Sequence, residues 1–344
     1  MTRGRVRLSG PMRAFPLPKE ISVSEFEVLI TGQVMPLIRE GLEARLKVHK
    51  LYESADKDAF IAAHGDRIRA LVGGSGHGRI DAAFMKRFPN LQIVGNFGVG
   101  YDGVDAKWAG ENGIIVTNTP DVLTDEVADL ALGLLISTVR CLPQADRYVR
   151  DGKWPSGNFP LTGSLREKKM GILGLGRIGA AIARRAEAFG LTLCYHSRSP
   201  KPEVPYTYYA SLVDMARDVD ILMIIAPGGE ATRGIVNRAV MEALGPAGTL
   251  INVARGTLVD EPVMVELLKS GKLGSAGLDV FEKEPTVPTE LFGLENVVLL
   301  PHVGSASHYT RNKMGQLVVD NIVSFSEGRG PITPVVETPW PLVK

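Results

Sequence analysis

A chain of 344 residues is long enough for about two domains. With 44% hydrophobic residues and a formal net charge of +1, it reads as an ordinary globular protein, with no electrostatic case for nucleic acid or a membrane surface. Its two cysteines, Cys141 and Cys194, exclude a disulfide framework or a structural zinc site and point to a reducing, cytoplasmic setting without a bound metal.

Residues 1–19 carry Arg3, Arg5, Arg7, Arg13 and Lys19 with no acid, but lack the apolar core of a signal peptide. A transit peptide fits that composition. The blander reading, a disordered extension over residues 1–23 or an early start codon, is the expectation adopted. Short apolar runs then alternate with helix-length amphipathic segments, the pattern of parallel α/β architecture. Strands are predicted at "EVLITG" (27–32), "KVHKLY" (47–52), "RALVGG" (69–74), "LQIVGN" (91–96) and "IIVTN" (114–118). The segment "MPLIREGLEARL" (35–46) puts Leu37, Ile38, Leu42 and Leu46 on one helical face.

"TPDVLTDEVADLALGLLISTVRCL" departs from that rhythm. It predicts one long helix capped by Thr124 and running to about Arg150. Its apolar core, "VADLALGLLISTV" (127–139), is too short to span a bilayer. The glycines and prolines of "DGKWPSGNFPLTGS" (151–164) break the helix. A fresh α/β series follows, with strands at 169–174, 191–196, 221–226, 249–254, 275–280 and 297–302, and a last helix at 310–328.

"GILGLGRIGAAIARRAEAFG" follows a strand and opens a helix, with Gly174, Gly176 and Gly179 in G-x-G-x-x-G spacing. The first glycine permits a tight turn, the second close approach to a pyrophosphate, and the third close helix–strand packing. The free N–H groups at Arg177 and Ile178 favour an anion there. An NAD site ends its second strand in an acid that bonds the ribose hydroxyls, but "LTLCYHSRSPK" (191–201) has none. It offers Ser197, Arg198 and Ser199 instead, hydroxyls and a guanidinium suited to a 2′-phosphate. That favours NADP(H); the alternative is that Arg198 stacks on adenine or faces solvent, leaving NAD tolerated.

Three further stretches end strands: "NVARGTLVDE" (252–261), "GLDVFEKEP" (277–285) and "LLPHVGSAS" (299–307). Ligands of open parallel sheets bind beyond the carboxyl ends of strands, so these should converge. Together with "GLGRIG", they resemble the D-isomer-specific 2-hydroxyacid dehydrogenase family over about residues 25–330. "TPDVLTDEVADLALGLL" and "YHSRS" look most like its NADP-dependent glyoxylate/hydroxypyruvate reductase branch, a pattern shared with hydroxyphenylpyruvate reductases. The resemblance implies that Arg255 binds the substrate carboxylate and keto oxygen, His302 is the acid/base and Glu284 is its partner. Glu284 is selected because it precedes Pro285, which leaves Glu282 merely solvated. Asp279 matches the acid that contacts the nicotinamide end. The expected cofactor contacts extend to Leu175, Ala226, Pro227, Val253, Ala254 and Gly304.

The glycines of "VGGSGHG" (72–78) expose backbone N–H groups, and in the family "NFGVGYDGVD" (96–105) faces the same crevice. Gly74, Ser75, Gly76, Val99 and Gly100 are therefore expected to line the substrate site, or else simply to form turns. Their small size suits glyoxylate or hydroxypyruvate, and equally leaves room for an aromatic substituent.

The implied architecture is two Rossmann-like, doubly wound α/β domains with the active site in the cleft between them. The substrate domain is discontinuous, 24–122 with 308–344, and the dinucleotide-binding domain is 123–307. The family generally dimerises, and a homodimer is expected here. Trp154 or Phe159 either reaches the partner's pocket or packs within its own chain. The competing reading from another class is a non-catalytic NAD(P)-sensing corepressor on the same fold.

Overall fold

The computed structural model describes residues 25–74 and 78–341. The extension expected over 1–23, and Ser75, Gly76 and His77 in the first glycine-rich loop, lie outside the described residues. The chain divides into two compact units: one runs up to Pro120 and resumes at Asn312, and the other is Asp121–Arg311.

The first unit is a five-stranded parallel sheet of β1 (Glu27–Ile30), β2 (Lys47–Lys50), β3 (Ile68–Gly74), β4 (Ile93–Phe97) and β5 (Ile115–Thr117), in the order β2-β1-β3-β4-β5. Its inner strands are largely apolar because both faces are covered, with Glu27 and Asn96 as buried polar residues within them. Leu29, Leu71, Val94 and Val116 pack on one side with Ile61, Met85 and Phe88. Val28, Ile30, Val72 and Ile93 turn to the other, where Ile38, Leu42 and Val318, Val319 and Ile322 meet them. The helix supplying Ile38 and Leu42 starts at Pro36, a residue pre-set for a first turn.

The second unit is a seven-stranded parallel sheet: β6 (Lys169–Leu173), β7 (Thr192–His196), β8 (Thr207–Tyr208), β9 (Ile221–Ile224), β10 (Thr249–Asn252), β11 (Ser275–Leu278) and β12 (Val297–Leu299). Its order, β12-β11-β10-β9-β6-β7-β8, reverses direction between β6 and β9, where doubly wound sheets bind nucleotides. The two-residue β8 is too short for periodicity to find. Leu222, Ile224, Leu250 and Leu278 pack under Met215, Met241 and Leu267.

The long helix expected over 124–150 is two helices, Thr124–Val139 and Leu142–Arg150. Cys141 between them has a φ of 49°, in the left-handed region. Pro143 explains the break: in a helix interior it would remove one hydrogen bond and clash with the preceding turn, whereas a first turn accepts it. Gln144 then anchors the second helix, its Nε2 amide hydrogens donating to the carbonyls of Glu295 (2.9 Å) and Val297 (3.1 Å). Thr124 does not cap; it is the first helical residue, and Leu123 stands at the cap without a side-chain bond. The last helix is His308–Ser326, two residues earlier than expected at each end.

Candidate active site

The coenzyme loop follows β6. Gly174 has a φ of +100°, and a Cβ there would fall 2.6 Å from the Ala226 Cα at the end of β9. A Cβ on Gly179 would fall 2.2 Å from the Gly174 carbonyl oxygen, so turn, helix and neighbouring strand touch backbone to backbone. The helix Arg177–Ala188 begins at Gly176 with no side-chain cap, leaving its first N–H groups to an outside acceptor, and the space beside Gly176 is open. Leu175 is buried, Ile178 half-buried, and the exposed Arg177 pairs with Asp121 at 3.2 Å.

After β7, the exposed Arg198 makes no ion pair among the described residues. Ser197 Oγ donates to the Ser199 carbonyl at 2.7 Å and so tightens the turn that carries Arg198. Ala226, Val253 and Ala254 are buried at strand ends, and Pro227 is exposed beside them. These residues fit a phosphorylated dinucleotide: an uncapped helix start, open space at Gly176 and an exposed guanidinium where an acid would repel phosphate.

A second cluster stands at the ends of β10, β11 and β12. Asn252, 1% exposed, accepts the Ala254 N–H on Oδ1 and donates from Nδ2 to the Arg255 carbonyl, both at 3.0 Å. That clamp shapes the turn carrying Arg255. A Cβ on the next residue, Gly256, would fall 1.9 Å from the Phe281 carbonyl carbon, so the Arg255 turn lies directly against the segment leading to Glu284. Within that segment the Phe281 N–H donates to Glu284 Oε1 at 3.1 Å. Glu284 Oε2 lies 2.6 Å from His302 Nδ1.

His302 has a φ of 54°, and the turn it begins is gathered onto Asp279. The Asp279 carbonyl accepts the His302 N–H at 2.9 Å, Oδ1 accepts that of Val303 at 2.7 Å, and Oδ2 that of Gly304 at 2.9 Å. Burial pushes the Asp279 carboxyl up, against the pull of those two side-chain acceptor bonds. Burial also acts to raise Glu284, but the hydrogen bond and charge of His302, with help from Phe281 N–H and Arg255, hold it below the ordinary carboxylate range.

Arg255, Glu284 and His302 are thus brought together, with Asp279 and Gly304 bonded to each other beneath them. One expectation changes. Glu282 is not merely solvated: its N–H donates to Glu261 Oε2 at 3.0 Å, and its carboxylate lies 3.6 Å from Arg233. Asp279, 1% exposed, accepts one backbone N–H on each carboxylate oxygen and so also holds the His302 turn. Sequence reasoning missed Asn252; the available signal was an amide side chain at a buried strand end just before a functional loop.

In the first unit, Gly74 ends β3, and Val99 and Gly100 occupy the half-buried loop after β4. Asn96, 4% exposed, donates to the carbonyls of Gly98 (3.2 Å) and Gly100 (3.1 Å), and Asn118 to that of Val99 (2.8 Å). Val104 N–H takes the Tyr101 carbonyl at 2.8 Å. Every carbonyl from Gly98 to Tyr101 is therefore occupied, while the N–H groups of Val99, Gly100 and Tyr101 meet no acceptor among the described residues. The loop is a donor surface made of backbone.

Phe159 packs edge-on against Tyr148 at 5.4 Å within its own chain, and Trp154 is 63% exposed. Among the described residues, no group of three or more His, Cys, Asp or Glu could hold a metal, and no helix is long and apolar enough to cross a membrane.

A family model described as "D-isomer specific 2-hydroxyacid dehydrogenase, NAD binding domain" matches residues 132–304. The chain is 50% identical over 309 residues to glyoxylate/hydroxypyruvate reductase A of Arabidopsis thaliana, covering 90% of this chain and 98% of that protein. It is 49% identical, with the same coverage, to hydroxyphenylpyruvate reductase of Plectranthus scutellarioides. Among solved structures, the NADPH-dependent glyoxylate/hydroxypyruvate reductase of Sinorhizobium meliloti, in complex with NADP and malonate, superposes with a TM-score of 0.87 at 48% identity, covering 92% of this chain and 98% of that one.

Proposed function

The chain belongs to the D-isomer specific 2-hydroxyacid dehydrogenase family, and from that premise we propose that it is an NADPH-dependent reductase of small 2-keto acids, making glycolate from glyoxylate and D-glycerate from hydroxypyruvate. The observation that carries the reading is the 2.6 Å contact of His302 Nδ1 with Glu284, set beside Arg255 at the strand ends. With Nδ1 committed to the carboxylate, Nε2 is the nitrogen left to face a substrate. Bound NADPH supplies the hydride. His302 delivers the proton that the ketone oxygen needs as negative charge develops on it. Glu284, bonded to Nδ1, fixes the orientation of the ring. Arg255 pairs with the carboxylate and polarises the keto group.

The residues offered to the coenzyme are Gly174–Gly179 for the pyrophosphate and Ser197, Arg198 and Ser199 for the 2′-phosphate. Ala226, Pro227, Val253, Ala254, Asp279 and Gly304 line the rest. Gly74–Gly76, Val99 and Gly100 are assigned to substrate, the last two through N–H groups that meet no acceptor among the described residues. The proposed domains are 24–122 with 308–344 for substrate and 123–307 for the dinucleotide. The working species is proposed to be a cytoplasmic homodimer, supported by the exposed apolar residues Leu142, Val149, Trp154 and Leu161.

A second reading, hydroxyphenylpyruvate reduction, is favoured by the 49% identical Plectranthus enzyme. One preparation tests all of this: NADPH and NADH oxidation with glyoxylate, hydroxypyruvate and hydroxyphenylpyruvate, alongside light scattering for the dimer mass. Preference for NADPH and for the two small acids is expected. Preference for the aromatic acid selects the second reading, equal use of NADH defeats the role given to Arg198, and no turnover leaves the nucleotide-sensing corepressor.

A further inference from the structure

We propose that the C-terminal segment Ile332–Glu337 is a positioning element for the Val99–Tyr101 loop, acting through Thr333 and Asn118, and that it thereby sets the affinity for the keto acid without touching it. The inference rests on the reading above, in which that loop meets substrate. All the groups involved belong to the first unit.

Asn321, fully buried on the helix His308–Ser326, starts the chain of contacts. Its Oδ1 accepts the N–H groups of Ile332 (2.8 Å) and Thr333 (2.9 Å), and its Nδ2 donates to Thr333 Oγ1 at 2.9 Å. The Thr333 hydroxyl in turn donates to the Asn118 carbonyl at 2.7 Å. The Asn118 side chain donates to the Val99 carbonyl, closing the path from helix to loop in three side chains. A second tether runs in parallel: the Tyr101 hydroxyl donates to Glu337 Oε2 at 2.9 Å. Burial and that carboxylate together push the Tyr101 hydroxyl up to about 12, so the phenol stays a donor through the neutral range.

Covering the edge of β5 would not by itself require these side chains. Backbone N–H of Val335 on the Val116 carbonyl (2.9 Å) and the bridge of Pro334 to Thr117 already do that. Thr333 and Glu337 reach beyond the edge to the loop. Because the loop's N–H groups meet no acceptor among the described residues, the bonds to its carbonyls help to set its geometry, and small displacements weaken several donor bonds at once.

The test compares Thr333→Val with Thr333→Ser, and adds Glu337→Ala as a variant at a surface contact. Thr333→Val should raise KM for glyoxylate roughly five- to fiftyfold, with kcat and the KM for NADPH within about twofold of wild type. Thr333→Ser should restore KM, and Glu337→Ala should give a smaller rise of the same kind. A Thr333→Val protein with lowered Tm but wild-type KM overturns the proposal, as does an equal loss for both substrates. Should wild type reduce none of the keto acids, the parent reading fails, and amide hydrogen exchange at Val99–Tyr101 decides the relay alone. Faster exchange in Thr333→Val and Glu337→Ala supports it; unchanged exchange overturns it.

Discussion

The loops after β10 and β12 in the second unit and the loop after β4 in the first are held by one device put to two uses. In each, a buried polar side chain near a strand end captures loop backbone: Asn252 that of its own turn and Asp279 that of the turn after β12 in one unit, Asn96 that of its own loop in the other. Around Asn252 and Asp279 the captured turns present side chains, Arg255 and His302. Around Asn96 the captured carbonyls leave only N–H groups outward. Side-chain centres can move protons and place full charges, whereas a backbone centre can only bind and orient. The difference divides the expected kinetics: damage near Asp279 and Asn252 should reach turnover, and damage near Asn96 should reach affinity.

The largest effect separates the two kinds of centre outright. His302→Gln keeps a group able to hydrogen-bond but cannot donate a proton as imidazolium, and kcat for keto-acid reduction should fall by about 10²- to 10⁴-fold. Binding of NADPH, followed by fluorescence titration, should be unchanged. Near-normal turnover would remove the proton-transfer role and leave Glu284 and His302 as a structural pair.

A matched pair of variants sharpens the comparison. Asn252→Ala and Asn96→Ala each strip buried backbone groups of their partners and should cost a similar amount, about 1–3 kcal/mol each by urea unfolding. Their kinetics should differ. Asn252→Ala should lower kcat about tenfold as Arg255 loses its aim at the keto oxygen, while Asn96→Ala should raise KM for glyoxylate with kcat within about twofold. Similar kinetic profiles from the two would mean that the division drawn between the centres is wrong.

The same contrast explains what was legible in the sequence. Arg255, Glu284 and His302 could be proposed because side-chain chemistry leaves particular residues in strand-end motifs, and those motifs resemble the family's. The Gly98–Tyr101 loop could be named only as glycine-rich, since N–H groups are common to every residue and the partners that free them, Asn96 and Asn118, are distant or unremarkable in sequence. Fold followed a parallel rule. Strands buried on both faces appear as apolar runs and were found, but β8, an exposed-edge pair of residues, was not. The division of 124–150 into two helices was signalled by Pro143, yet the strong apolar periodicity on both sides of it overrode that signal. At the start of β1, the buried Glu27 carboxylate lies 2.6 Å from His49.

That carboxylate gives the smallest effect and a comparison of the two units under acid. Burial acts to raise Glu27, but hydrogen bonds from Lys47 and His49 and the charges of Lys47 and Arg67 hold it below its ordinary value of 4.5. Glu284 is likewise held down by His302 and Arg255. A carboxyl depressed in the folded state binds its proton less readily than in the unfolded chain. Its stabilisation is therefore complete above the ordinary value and is lost as pH falls through the lowered one. Replacing either residue by glutamine should flatten the fall of the urea midpoint below about pH 4.5. Glu27→Gln should flatten it more, because its side chain is 8% exposed and faces Lys47, Arg67 and His49, whereas that of Glu284 is 34% exposed and solvent screens its histidine. Equal slopes in wild type and Glu27→Gln would show that the cluster around Glu27 adds no acid-sensitive stability. A larger effect at Glu284 would mean that the strand-end centre, rather than the buried cluster at the start of β1, governs the acid limit.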